Sequence, residues 1–344
     1  MRRPAREQSV RARRLADPRG ARNSCLNIAL INNMPDSALV ETEHQFSALL
    51  EAAAPHLPIR MKCYSLPGIS REGRARRRVD EFYFGFDDLL NSRFDGVIIT
   101  GAEPRHANLR QEPHWRYLAE TFEWAERNAA SVILSCLAAH ASVLFSDGIE
   151  RHPLKDKRFG LFDERKASDH SLVRGAPQVM PFPHSRWNEL EEQKLISAGY
   201  SVLTKSDLAG PNLFVKTRKS SLFVYFQGHP EYGPQTLLRE YRRDVGRFIR
   251  SERDTYPSMP SGYFDPASIR LLAEFQQNVI HNRRAELLAA FPDSAVAGTL
   301  TDSWRLSAMA IYHNWLRYVA SRKIESSVFA RGARPKLMQK DAQR

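Results

Sequence analysis

Short unbroken apolar runs alternate, over the first half of the chain, with longer stretches whose apolar residues recur at helical spacing. LNIALIN, from Leu26, is apolar enough to be a strand buried on both faces. Asn33–Asp36 reads as a turn, with Asp36 able to cap a helix over Ser37–Ala54. Ile59–Leu66 alternates like a strand, and the basic run REGRARRR (Arg71–Arg78) reads as a mobile surface loop. A helix follows over Val79–Leu90, then a buried strand in FDGVIITG (Phe94–Gly101), then a helix over Glu112–Asn128. The run SVILS ends at Cys136, beyond which small helix formers continue to about Asp147.

Strand–helix alternation of this kind predicts an α/β fold with a mostly parallel sheet covered on both faces. In such sheets ligands sit at the carboxyl ends of the strands, where Gly101 and Cys136 both fall. The second half is more mixed. Gly199–Leu203, Leu213–Thr217 and Leu222–Phe226 read as short, partly antiparallel strands. A helix begins near Pro234, residues 251–265 read as irregular, and Ser268–Ala290 and Ser303–Ser321 read as helical. His184-Ser-Arg186 falls in a proline-pinned loop.

Composition narrows the picture. A chain of 344 residues can bury a large core. No apolar window is long enough to span a membrane, and the N-terminus has no apolar signal region. Three scattered cysteines with no CxxC pair point to a reducing, cytoplasmic compartment without a disulfide framework or a metal site. The net charge of +12 lies mostly at the ends, with +6 in residues 1–24 and +4 in residues 323–344. Both segments read as solvated, disordered basic tails, because they lack the apolar groups that offset ordering entropy. A nucleic-acid-binding arm is the alternative reading of that charge.

Two readings of Cys136 stand side by side. A lone cysteine after an apolar strand is commonly a small buried residue. At a strand–turn–helix junction it is also placed to be a nucleophile, since a helix N-terminus favours the thiolate. Backbone N–H groups there, Leu137 and one near Gly101-Ala102, could form an oxyanion hole. A cysteine nucleophile needs a base and a group to orient that base. His229 and Glu231, in FQGHPEY at another strand end, can supply both, because i and i+2 share a side in extended chain. The alternative is a turn histidine beside a solvated glutamate. His140, on the helix after Cys136, points away from the turn and reads as a packing residue.

Taken in order, several motifs form a recognisable series. They are NxMPD with the following TE (Asn32 to Glu43), FDGVIITGA (Phe94–Ala102), Cys136, and GI…PL..K.FG (Gly148–Gly160). PHSR (Pro183–Arg186), GHPEY..QTL..EY.RDV (Gly228–Val245) and SWR…NWL (Ser303–Leu316) complete it. From residue 26 to 322 this chain resembles the homoserine O-acyltransferases of the homoserine O-succinyltransferase family. The resemblance implies a flavodoxin-like, class I glutamine-amidotransferase-like three-layer sandwich over residues 25–322. Residues 267–300 look like an insertion, and the two tails fall outside the resemblance. It also implies catalytic roles for Cys136, His229 and Glu231, and substrate contacts for Lys157, Ser185 and Arg243.

The implied reaction moves an acyl group from acyl-CoA to the hydroxyl of homoserine through an acyl-cysteine, in methionine biosynthesis. No metal or prosthetic cofactor is implied; acyl-CoA is a co-substrate, and a homodimer is left open. The chain departs from the pattern at two places. Leu137-Ala138 follow the cysteine where many relatives have Trp-Gly or Trp-Ala. Arg105 stands at the position tied to donor choice, usually Gly for succinyl and Glu for acetyl. An arginine there can bind a succinyl carboxylate bidentately, which favours succinyl-CoA over acetyl-CoA. Homoserine O-acetyl transfer, or transfer to another hydroxy-amino acid, is the enzymatic alternative. A degenerate fold member that binds nucleic acid through its tails is the non-enzymatic one.

Overall fold

The structure is a computed structural model that describes residues 25–332. The expectations for residues 1–24 and 333–344 lie outside the described residues. The first half runs β1 (Leu26–Ile31), α1 (Leu39–Ala53), β2 (Ile59–Tyr64), α2 (Gly73–Phe82), α3 (Phe86–Leu90), β3 (Phe94–Ile99), α4 (Trp115–Asn128), β4 (Ala129–Ser135) and α5 (Leu137–Asp147). A long hairpin follows, β5 (His152–Lys166) and β6 (Val179–Glu189), then α6 (Glu192–Ser197). Short strands β7 (Ser201–Val202), β8 (Thr204–Ser206) and β9 (Gly210–Pro211) lead to β10 (Leu213–Arg218) and β11 (Ser221–Phe226). Four helices close the chain: α7 (Thr236–Ile249), α8 (Pro266–Ile280), α9 (Asp293–Ala297) and α10 (Arg305–Gly332).

The main sheet has the order β2-β1-β3-β4-β11-β10-β7. Its first five strands are parallel, and β10 and β7 add antiparallel to the edge. The parallel part reproduces the 2-1-3-4-5 order of the flavodoxin-like doubly wound fold. Side chains alternate across it. Ile28, Leu30, Ile98, Ile133 and Val224 face a core closed by α1, α7 and α10. Val97, Ile99, Val132, Leu134 and Tyr225 face a second core closed by α4 and α5. The three-layer α/β expectation therefore holds. A separate antiparallel sheet, β6-β5-β8-β9, stands beside it.

Four local expectations are corrected. Asp36 does not cap α1, whose N-cap is Ala38. Its carboxylate instead accepts from Arg71 at 3.2 Å and from the Glu72 N–H at 2.9 Å. The basic run is not a surface loop but the start of α2; Arg71 is nearly buried, and Arg78 pairs with the buried Glu43 at 2.6 Å. Long-range carboxylates and carbonyls that no local pattern reveals hold these arginines. His184–Arg186 lies in β6 rather than in a loop. Its prolines are tolerated because β6 is an edge strand, where no ladder donor is lost. Finally, α10 continues past Ser321 to Gly332, so the first residues of the predicted C-terminal tail are helical. Lys323 ties that extension to the Cys25 carbonyl and to Asp95, each at 2.7 Å.

The α10 helix is also keyed into the sheet. The Trp315 indole N–H donates to Ser131 Oγ at 2.9 Å, and Gly96 leaves the space its ring fills. A Cβ at Gly96 would meet Trp315 at 2.8 Å and Ile28 at 2.9 Å, both in packed core. Gly96→Ala is therefore expected to destabilise the fold by about 1–3 kcal/mol through overpacking. A lower urea midpoint at unchanged slope is the measurement that checks it.

Candidate active site

Cys136 occupies the single residue between β4 and α5. Its backbone has φ 49° and ψ −109°, a region L-residues rarely adopt. Strain of this kind costs about 1–3 kcal/mol and persists only where the surroundings impose it. Here the Cys136 N–H donates to the Phe226 carbonyl at 2.7 Å, pinning the turn to the end of β11. The sharp turn lifts the side chain out of the sheet, as in the strand-to-helix elbows that present nucleophiles. Cys136 is partly exposed, whereas Cys63 is buried with its thiol pushed up to about 12 by burial first and the Glu43 charge second. Gly101 packs against the first turn of α5, where a Cβ would meet Leu137 N at 3.1 Å. Among the described residues the N–H groups of Leu137 and Ala102 have no hydrogen-bond acceptor, and both residues line the same cavity as Cys136.

Because β4 and β11 are parallel and in register, with Ser135 opposite Phe226, the residues after β11 emerge beside Cys136. His229 N–H donates to the Pro183 carbonyl at 2.8 Å. Its Nδ1 bonds Glu231 Oε1 at 2.9 Å, and Ser135 Oγ donates to the same oxygen at 3.1 Å. Tyr232 stacks on the imidazole with ring centroids 4.2 Å apart. Burial would lower the His229 pKa, but the Glu231 carboxylate and the adjacent Cys136 sulfur outweigh it and hold it well above the usual imidazole range. The structure thus brings Cys136, His229 and Glu231 together. His140 is buried and bonded to Gln227 at 2.8 Å, with its pKa driven down to about 3 by burial and then by Arg186. That fits the packing role read from the sequence.

These groups open into a cavity of about 580 Å³ that also holds Lys157, Ser185 and Arg243. The three converge on two carboxylates of α7 that sequence reasoning missed. Lys157 Nζ donates to Asp244 at 3.0 Å and lies 3.6 Å from Glu240. Ser185 donates to Glu240, and Arg243 bonds Asp244 at 3.2 Å. Tyr232 donates to Glu240 Oε1 at 2.6 Å, which joins this cluster to His229. The signal was present as helical spacing in EYRRDVGR, where Glu240 and Asp244 share one face.

Arg105 is not brought in. It is exposed, lines a neighbouring cleft with Asp36 and Glu112, and engages Glu112 through its backbone N–H at 2.7 Å. Glu103 turns to Arg247 at 2.9 Å rather than to Arg105. The segment from Gly101 to Asn108 is irregular. Besides Arg243, the arginines that line the cavity are Arg151, Arg186, Arg247 and Arg253. Among the described residues no group of three or more His, Cys, Asp or Glu could hold a metal ion.

Behind the histidine lies a fully buried polar network. His184 Nε2 bonds Glu164 at 2.9 Å, and Thr204 Oγ1 donates to Glu164 at 2.6 Å. Gly228 packs on it, since a Cβ there would meet Pro183 O at 2.9 Å and the His184 ring at 3.0 Å. Burial pushes the Glu164 carboxyl up to about 8, and burial followed by the Arg186 charge pushes His184 down. Burial thus favours the uncharged form of each partner.

Two titrations follow from these environments. In Glu231→Gln the carboxylate that outweighs burial is gone, so the His229 imidazolium should titrate at lower pH than in the wild type, as followed by histidine NMR resonances. An unchanged titration would contradict the assigned cause. For Glu164 the folded pKa lies above the ordinary 4.5. Its contribution to stability is complete below about 4.5 and is lost as pH rises through about 8. Glu164→Gln should therefore show a flatter melting temperature between those pH values, gaining on the wild type as pH increases.

A sequence model described as homoserine O-succinyltransferase matches residues 8–326. A homoserine O-succinyltransferase of Rhodopseudomonas palustris is 41% identical over 303 residues, covering 88% of this chain and 91% of the relative. One from Methylorubrum extorquens is 42% identical over 297 residues, covering 86% and 88%. A solved glutamine amidotransferase from Thermotoga maritima, 12% identical, covers 86% of this chain and 98% of its own with a TM-score of 0.47. With the matched span running through the fold and the Cys136 site alike, the chain belongs to the homoserine O-succinyltransferase family.

Proposed function

We propose that this protein is a homoserine O-succinyltransferase that works through an acyl-cysteine, with its product entering methionine biosynthesis. The observation that carries the reading is the strained Cys136 elbow set beside the buried His229–Glu231 pair in one cavity. In the first step the Cys136 sulfur, its proton held by His229, attacks the thioester carbonyl of succinyl-CoA. A new carbon–sulfur bond forms, the bond to CoA breaks, and the His229 imidazolium returns the proton to the departing thiolate. In the second step His229 removes the proton from the homoserine hydroxyl. The oxygen attacks the acyl carbon, the bond to Cys136 breaks, and the proton passes back to the sulfur.

The other residues take roles that follow from their surroundings. Glu231 holds His229 through Nδ1, leaving the other ring nitrogen for proton transfer. The Leu137 and Ala102 N–H groups, without other acceptors among the described residues, are the donors for the tetrahedral oxyanion. Lys157, Ser185 and Arg243 form the acceptor pocket, with Arg243 receiving the amino acid carboxylate and Glu240 holding Ser185 in place. The names of relatives 41–42% identical support succinyl-CoA as donor. Arg105, exposed outside the cavity, adds no support to that choice.

Brief mixing with succinyl-CoA in the absence of acceptor should add one succinyl group to the protein, mapped to Cys136 by peptide mass spectrometry and discharged by homoserine. Cys136→Ala should carry no adduct and lose on the order of a thousandfold or more in transfer rate while keeping its fold. An active, folded Cys136→Ala enzyme would sink the covalent scheme.

A further inference from the structure

The cations of the cavity differ in what they are bonded to. Lys157 and Arg243 are matched by Asp244 and Glu240, and Arg247 by Glu103 and Asp244. Arg186 is nearly buried and donates to the carbonyls of Asn188 and Ala209, with Glu189 at 3.9 Å. Arg253 also meets no carboxylate, but its Nε and Nη2 are occupied by the Thr255 carbonyl at 2.7 Å and hydroxyl at 3.4 Å. Arg151 is less fully engaged than any of these. No carboxylate lies within salt-bridge distance of it among the described residues, and only Nη2 is engaged, with the carbonyls of His106 at 3.4 Å and Ala107 at 3.2 Å. Its Nε is buried and has no acceptor. A buried guanidinium nitrogen without a partner carries a desolvation cost that a bound anion would remove.

Arg151 shares the cavity with Cys136 and with both oxyanion donors, Leu137 and Ala102. Burial pushes the Arg151 pKa down, and the charges of Cys136 and Glu112 oppose it. A succinyl group carried on a thioester ends in a carboxylate two methylenes from the reacting carbonyl. That anion must enter the same enclosed space as the sulfur, and planar guanidinium is the side chain best shaped to receive it.

We infer that Arg151 is the donor-selecting residue of this site, its free guanidinium edge receiving the terminal carboxylate of a dicarboxylic acyl group delivered to Cys136. This rests on the acyl-cysteine reading above. It also reassigns the role that the sequence suggested for Arg105. The loop that carries Arg105 contributes through its backbone, since the His106 and Ala107 carbonyls hold the Arg151 guanidinium. Acetyl and butyryl groups, which lack the carboxylate, gain nothing from the arginine.

The test is steady-state transfer to homoserine by the full chain with succinyl-CoA, acetyl-CoA and butyryl-CoA, in wild type, Arg151→Gln and Arg151→Lys. Arg151→Gln should lose on the order of a hundredfold in kcat/KM with succinyl-CoA while staying within about threefold with the two uncharged donors. Arg151→Lys, which keeps the charge and loses the fork, should fall between. Equal losses on all three donors would mean a structural role and would overturn the inference, as would an unchanged preference for succinyl-CoA. A wild type that transfers from none of the donors would overturn the acyltransferase reading and this inference with it. A wild type active with succinyl-CoA beside an unaltered Arg151→Gln would overturn this inference alone.

Discussion

Everything at this site depends on one hydrogen bond across a parallel strand pair. The Cys136 N–H reaches the Phe226 carbonyl at 2.7 Å and so fixes two chain reversals at once. It holds the cysteine in a backbone conformation that would otherwise relax. It also sets the end of β11 level with the end of β4, so that Gln227–Glu231 emerges beside the thiol. A slip of one residue in that register would turn the alternating side chains to opposite faces and part the histidine from the sulfur. The core side chains on both faces of the sheet and the Trp315–Ser131 bond of α10 hold the register.

Around this centre the polar groups are arranged by burial. Burial pushes the Glu164–His184 pair behind the histidine toward its uncharged form, and the pair acts as a hydrogen-bonded support under Gly228. His229 carries the opposite balance, because Glu231 and Cys136 outweigh its desolvation. Two buried histidines close in sequence to prolines therefore end in opposite states, decided by which anions face them. The α7 carboxylates serve a third purpose: Glu240 and Asp244 gather lysine, serine and arginine from three separate elements onto one wall of the cavity. The Lys157 and Arg243 cations on that wall are matched by carboxylates, whereas Arg151 meets none and keeps a buried Nε without an acceptor.

Much of the architecture is legible in local pattern. Both-face apolar strands with amphipathic helices between them lead to a doubly wound parallel sheet, and the strand ends at Gly101, Cys136 and Gln227 point to where a ligand would sit. Residue type and the i, i+2 spacing of His229 and Glu231 offer the two as candidates beside Cys136, and the ordered motifs of the family resemblance imply the triad. What misleads is local too. Charge density made α2 look like a loop, prolines did the same for β6, and a lone basic residue after Gly101 suggested a donor contact. In each case the deciding partners lie far along the chain: Glu43 for Arg78, the edge position for β6, and Glu112 for the Arg105 backbone.

By itself, then, the sequence determined the fold class and the strand order's general kind, and it singled out Cys136, His229 and Glu231 as candidates, because periodicity and motif order are properties of neighbouring residues. Tertiary structure alone decided the strain at Cys136, the direction in which burial and charge push His229 and His184, the convergence on Glu240 and Asp244, and the placing of Arg151 inside the cavity with Arg105 outside it. Those depend on solvent exclusion and on distances between segments that the chain brings together only after the sheet has formed. A pattern of side chains records which groups are available, while burial and register decide which of them face one another.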